Sequence, residues 1–150
     1  MKTVEECKLD TLKHISSVQN KMLELAKQLI DRALQHDRSK IEEPELSGFA
    51  NAPDLSSMKY NSLEYNENLK KLQETLDHHY ANNRHHPQHF KNGVNDMNLL
   101  DLLEMLCDWS DSSKRNKNGN LQFSIEQNAN RFSISPQLVK ILENSINLVE

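Results

Sequence analysis

The chain has 150 residues, a formal net charge of -4 and only 5% aromatic residues. This length fits one compact domain. The negative charge and the shortage of aromatic rings argue against a nucleic-acid backbone or an anionic membrane as the main partner. Two cysteines without a CxxC spacing favour a reducing compartment. The acidic N-terminal segment and the lack of a long apolar run predict a cytoplasmic protein without a membrane span.

The first predicted element is an amphipathic helix. Apolar residues alternate spacings of three and four along one helical face: Ile15, Val18, Met22, Leu25 and Leu29. His36 continues this face. The pattern then stops, and two prolines and a glycine among several serines and asparagines predict a long irregular connection over residues 40–61.

A second helix is predicted from about Ser62 to Tyr80. Asn82 and Asn83 are suited to its C-terminal end. The residue before Pro87 is pushed towards an extended conformation, so the histidines there are expected in a loop beyond the helix.

The last third of the chain predicts three more helices. One covers residues 96–109, and it is followed by a polar turn over 110–120 and a short helix over 123–132. Ser135 is a good N-cap for the last helix, with Pro136 at its first position. The sequence therefore predicts an all-α fold, a single helical domain of five to seven helices over residues 1–150.

A dense histidine cluster is the most informative feature. Five of the seven histidines lie in DHHYANNRHHPQHF, from Asp77 to Phe90, and four of them form two His-His pairs. Structural histidines are usually scattered singly, so this density indicates a metal ion or a proton-transfer site. The alternative is that the histidines cap a helix C-terminus, where the helix dipole favours partly protonated imidazole.

A second motif, HDRSK, places His36 and Asp37 together with Lys40 close behind. The His-Asp dipeptide resembles the metal-binding motif of the HD-domain metal phosphohydrolases. In those enzymes an early His, a His-Asp pair and a later Asp bind metal. Together with the two His-His pairs, HDRSK is also similar to the signature of a family of small bacterial and phage proteins of unknown function. The resemblance covers about residues 14–90.

The resemblance implies specific roles for individual residues. The implied metal ligands are His14, His36, Asp37, His79, His86 and Asp108. The implied catalytic residues are Asp37, Lys40 and His85, and the implied substrate contacts are Lys40, Asn83 and Arg84. A guanidinium can fork onto phosphate oxygens, although pairing with an acidic side chain is an equal alternative for Arg84.

Two of these assignments depend on helix geometry. Asp101, Glu104 and Asp108 fall within about 60° on a helical wheel, so the third helix offers one acidic stripe, which either faces water or lines the site. Asp108 is the best placed late ligand, with Asp96 and Asp101 in reserve. On one straight helix, His14 and His36 would be about 33 Å apart and could not share an ion. Including His14 therefore predicts a break near residues 27–31, and the alternative is that His14 is an ordinary core histidine.

These residue types predict one or two divalent metal ions, because imidazoles and carboxylates without thiolate suit manganese, iron, nickel, zinc or magnesium. The expected function is metal-dependent hydrolysis of a phosphoester in a small nucleotide or nucleotide-derived signal. It would act in the cytoplasm, that of the host if phage-encoded, and the sequence allows a homo-oligomer. The alternatives are a non-catalytic protein that sequesters a nucleotide, an all-α nucleotide pyrophosphohydrolase and a zinc-stabilised structural module.

Overall fold

The computed structural model describes residues 1–52, 58, 62–115 and 119–150. Throughout these residues the regular structure is α-helix or 3-10 helix, without a strand, which confirms the all-α prediction. They group into two compact units, residues 1–36 and 37–150. None of the described helices combines the length and apolar character that a membrane-spanning segment needs.

The first unit consists mainly of one long helix, α1 (Val4–Gln35). Thr3 and Glu6 form a capping box at its start, in which each side chain accepts a hydrogen bond from the other residue's backbone N–H. The predicted break near residues 27–31 is wrong, since α1 is continuous and contains neither glycine nor proline. His14 and His36 are therefore about 33 Å apart along the helix and cannot bind the same ion.

The second unit begins with a short 3-10 helix (Arg38–Ile41) and α2 (Glu45–Ala50). The prediction of an irregular connection over residues 40–61 is thus wrong for the part that forms α2. Two short stretches of that prediction, residues 53–57 and 59–61, lie outside the described residues.

The predicted helix over residues 62–80 is two helices, α3 (Leu63–Lys71) and α4 (Gln73–Asn82). A 3-10-like turn at Leu72 separates them, in which the Leu72 N–H donates to the Leu69 carbonyl at 3.1 Å. The Leu72 side chain is buried. Asn83 is the C-cap of α4, as expected.

The hydrophobic core lies in the last part of the second unit. It is formed around α5 (Leu99–Ser113), α6 (Leu121–Phe132) and α7 (Pro136–Asn144). Its buried apolar residues are Met105, Leu106, Trp109, Leu121, Ile125, Ile134 and Leu142. Residues of α5 form part of this core, and the same helix carries the acidic stripe.

The predicted helix ends in this region are partly correct. Ser135 caps α7 and Pro136 begins it, as expected. However, α5 continues into the stretch predicted as a polar turn and ends at Ser113, whose hydroxyl donates to the Ser110 carbonyl at 2.9 Å. Residues 116–118 of the predicted turn lie outside the described residues.

Candidate metal centre

The end of α4 and the turn after it bring three imidazoles together. His79 lies in the last turn of α4, and the extended backbone at Asn83 turns the chain back towards the helix. As a result, His86 Nε2 is 2.9 Å from His79 Nε2, and the His85 and His86 ring centroids are 4.1 Å apart. His79 and His85 are buried, and His86 is partly buried. The second His-His pair therefore lies in a loop, as predicted, and faces the first.

Asp37 brings a carboxylate to the same point. Its Oδ1 is 3.4 Å from His79 Nε2 and 3.5 Å from His85 Nε2. Asp37 adopts a left-handed backbone conformation with φ 55°, which is uncommon for a residue other than glycine but is tolerated by aspartate. This turn directs the side chain of Asp37 towards histidines more than forty residues away in the sequence.

The spacing of these atoms fits one metal ion. Asp37, His79, His85 and His86 each offer a ligand atom within 4.8 Å of the other three. Ligands about 2.1 Å from an ion are about 3.0 to 3.4 Å from one another in octahedral or tetrahedral geometry. The distances of 2.9, 3.4 and 3.5 Å agree with that range. The residues present therefore fit a divalent ion.

Asp108, on α5, lies beside this group. Its carboxylate is within 4.8 Å of ligand atoms of Asp37 and His85. The role of Asp108 as the late aspartate of the site stays a prediction. His36 ends the first unit directly before Asp37, and its role as a ligand stays a prediction.

Two more carboxylates lie behind the imidazoles. Glu45 of α2 is completely buried, and its two oxygens are each 2.8 Å from an Nδ1 atom, one of His78 and one of His79. Glu104 of α5 is 3.0 Å from Nδ1 of His85. The acidic side chains thus contact the Nδ1 atoms, whereas the Nε2 atoms of His79 and His85 lie near Asp37.

The position of Glu45 beside the histidines was not predicted from the sequence. It lies in a stretch predicted to be irregular, more than thirty residues before its histidine partners, and no local pattern distinguishes it from Glu42 and Glu43. Only the packing of α2 against α4 reveals its position. Glu104 belongs to the predicted acidic stripe, but its contact with His85 was not predicted.

The environment favours the uncharged form of two of the imidazoles, those of His79 and His86. Burial, together with the positive charge that His85 and His79 can carry, lowers the pKa of His86 to about 3. Burial also lowers the pKa of His79. Burial alone would raise the pKa of Glu45, but hydrogen bonds with His78, Ser39 and His79 outweigh it and lower that pKa. Neutral imidazoles and ionised carboxylates are the forms that bind metal ions.

Arg84 does not contact the histidine group through its guanidinium. Nε and Nη2 donate to the two oxygens of Asp101 at 3.1 and 3.0 Å, and the guanidinium lies 4.8 Å from the centroid of the Phe90 ring. The guanidinium of Arg84, which was expected to bind phosphate, thus binds a carboxylate. Pairing with an acidic side chain was the alternative prediction for this residue. Asp101 also accepts from the Asn98 N–H at 2.9 Å, and its reserve role as a metal ligand stays a prediction. Asp96, the other reserve, accepts from Asn92 instead.

The remaining predicted residues have clear positions. Asn83, expected to contact substrate, is buried and donates to Ser39 Oγ at 2.7 Å and to the His79 carbonyl at 2.8 Å. Its amide nitrogen therefore links Ser39 to α4, and its role as a substrate contact stays a prediction. Lys40 is partly exposed and forms an ion pair with Asp37 Oδ2. His78 faces Glu45, outside the group of four.

Comparison with known proteins places the chain in a family. A model of the family of unknown function DUF5662 matches residues 3–148. The chain belongs to this family. The match does not confirm the resemblance to HD-domain phosphohydrolases, which stays a prediction. Comparison with curated proteins and with solved structures gives no match.

Proposed function

We propose that this DUF5662 protein is a metal-dependent phosphohydrolase that acts on a phosphoester of a small nucleotide or nucleotide-derived signal. The observation that supports it most is the convergence of three imidazole nitrogens and one carboxylate oxygen, all within 4.8 Å of one another and with three of the pairs 2.9 to 3.5 Å apart, in a largely buried site. Such a ligand set, without thiolate, is typical of manganese, iron, zinc and related hydrolytic metals.

The proposed ligands are Asp37, His79, His85 and His86, with Asp108 as a further ligand. A bound divalent ion would supply Lewis-acid chemistry, because its charge polarises a phosphoryl oxygen and makes a water molecule more acidic. His85 was predicted to act in catalysis. Its Nε2 lies 3.5 Å from Asp37 Oδ1, among the other donors, and we therefore assign it to metal binding.

Lys40 is the proposed phosphate contact. Its ammonium group pairs with Asp37 and is partly exposed, so it adds positive charge beside the proposed ligands. Arg84 is left out of this role because it holds the carboxylate of Asp101. The pyrophosphohydrolase alternative needs acids on facing helices that are available for magnesium. On α5, however, Asp101 contacts Arg84 and Glu104 contacts His85.

Metal content is the first measurement. Protein purified without a histidine tag should contain close to one equivalent of divalent metal or more, by elemental analysis. It should release product from candidate nucleotides in the presence of manganese, iron, nickel or magnesium. Nucleotide binding without product would support the sequestering alternative. Metal far below one equivalent, with no binding on titration, would exclude every metal-based function.

Two aspartates of α5 provide a matched pair. Asp108→Asn removes a proposed ligand and should lower activity on the order of 100-fold or more, because a neutral amide is a poor ligand beside imidazoles. Asp111→Asn makes the same chemical change three residues later, where the side chain is exposed and pairs with Arg115. It should change neither metal content nor rate. Full metal content and full rate in Asp108→Asn would remove Asp108 from the site.

A further inference from the structure

Glu45 is a completely buried acid beside the site that the proposed function does not use. Its two oxygens lie 2.8 Å from Nδ1 of His78 and of His79, and Oε2 also accepts from the Ser39 hydroxyl at 2.9 Å. It is completely buried and is not among the groups of residues that could hold an ion. A charged side chain is rarely placed so deeply unless it is paired. Its partners therefore indicate what it does.

Close packing of α2 on α4 brings Glu45 to this position. Gly48 of α2 faces Thr75 of α4, and a Cβ atom at residue 48 would clash with Thr75 Oγ1. The absence of a side chain at this one position lets the two helices approach closely. The approach places Glu45 behind His79, on the side opposite to Asp37.

The hydrogen bonds of Glu45 determine which nitrogen of His79 carries the proton. An ionised carboxylate can only accept, so Nδ1 of His79 must be the donor. Asn83 Nδ2 is also 3.0 Å from this nitrogen, but it has two shorter contacts that can accept its two hydrogens, with Ser39 Oγ at 2.7 Å and the His79 carbonyl at 2.8 Å. With the proton on Nδ1, the lone pair of His79 is on Nε2, the atom near Asp37 and His86.

We propose that Glu45 is a positioning residue that fixes the tautomer and the ring orientation of His79, so that Nε2 is the metal-binding atom. Glu104 lies 3.0 Å from Nδ1 of His85, so the second imidazole also has a carboxylate on its Nδ1 side. Carboxylates behind metal-binding histidines commonly have this role, and their loss typically weakens metal binding about 10- to 100-fold. This inference rests on the proposed metal function.

The tautomer of His79 can be measured in metal-free protein. In protein labelled with ¹⁵N-histidine, long-range ¹H–¹⁵N correlations should show His79 with its proton on Nδ1, assigned by comparison with His79→Gln. In Glu45→Gln this tautomer should lose its dominance, since a glutamine amide can either accept or donate. A wild-type protein with the proton on Nε2 of His79 would overturn the proposal.

Cobalt affinity gives the second measurement. In Glu45→Gln the dissociation constant for Co²⁺ should rise about tenfold or more, with the same number of ions per chain. Glu43→Gln is the control, because Glu43 is exposed and contacts Ser47 but no histidine. An affinity within about twofold of wild type in folded Glu45→Gln protein would reject the positioning role.

Failure of the Glu45→Gln variant to fold and failure of the wild-type protein to bind metal can each be distinguished from failure of the positioning role. If Glu45→Gln does not fold, Glu45→Asp retains the charge with a shorter reach, and it should weaken cobalt binding while preserving helical content. Unchanged affinity in folded Glu45→Asp would then reject the proposal. If the wild-type protein binds no cobalt or other divalent ion, the proposed function fails. The tautomer measurement still decides the role of Glu45, because it requires no metal.

Discussion

Replacement of Arg84 by alanine should destabilise the second unit markedly. It removes two charged hydrogen bonds, at 3.0 and 3.1 Å, from the carboxylate of Asp101, which is completely buried. Breaking a buried ion pair costs about 3–5 kcal/mol, because the remaining charge is left without its partner. The Arg84 side chain is 46% exposed, so water reaches this pair and reduces the cost. We expect the free energy of unfolding to fall by about 2–3 kcal/mol.

Urea unfolding followed by circular dichroism at 222 nm, with a chelator present, measures this loss independently of any bound metal. Arg115→Ala is the matched control. Arg115 pairs with Asp111 at 3.1 Å, but both side chains are largely exposed, at 68% and 74%. This variant should lose less than about 0.5 kcal/mol. Equal losses in the two variants would refute the view that burial of Asp101 makes the Arg84 pair important.

Three further predictions concern the site and its support. Between pH 6.5 and 3, acidification should lower the free energy of unfolding of the metal-free protein by up to about 1 kcal/mol per pH unit. His86 has a pKa of about 3 in the folded protein and stays uncharged in this range, whereas the unfolded chain takes up the proton. Thermal unfolding across this range checks the loss, and a flat profile would contradict it. Gly48→Ala should cost about 1–3 kcal/mol in urea unfolding, and Thr75→Ala should restore part of that loss by removing the two nearest atoms. No recovery in the double variant would place the clash elsewhere. Lys40→Met should lower the hydrolysis rate about tenfold or more without changing metal content, since it removes a proposed phosphate contact but no ligand; an unchanged rate would remove Lys40 from the site.

The sequence predicted local features of the fold well. Ser135 is the N-cap of α7 as expected, because a cap depends on a few neighbouring residues, and α3 begins where the second helix was predicted to begin, with Ser62 as its N-cap. The interruption at Leu72 was not predicted, since it coincides with burial of that side chain and not with a helix-breaking residue. The break predicted in α1 was wrong because it came from the assumed role of His14 and not from the residues between His14 and His36.

The candidate site was predictable to the extent that its residue types are unusual. Two His-His pairs and Asp37 are enough to indicate a metal site from the order of residues alone, and the acidic stripe indicates Asp108. The partner of Arg84 could not be chosen from the sequence, because the choice depends on where the turn after α4 lies relative to Asp101. Glu45 was missed for the same reason, since its importance arises from the contact between α2 and α4.

The donor atoms of the proposed site lie far apart along the chain, and this links metal binding to the stability of the protein in the cell. Asp37, the turn with His85 and His86, and Asp108 come from separate segments that only the folded chain brings together. The unfolded chain would bind an ion poorly, so free metal at about 100 times the dissociation constant would add about 2.7 kcal/mol to the stability of the folded state. Metal starvation would then expose more unfolded chain to proteases, and the level of the protein would report the metal status of the cell.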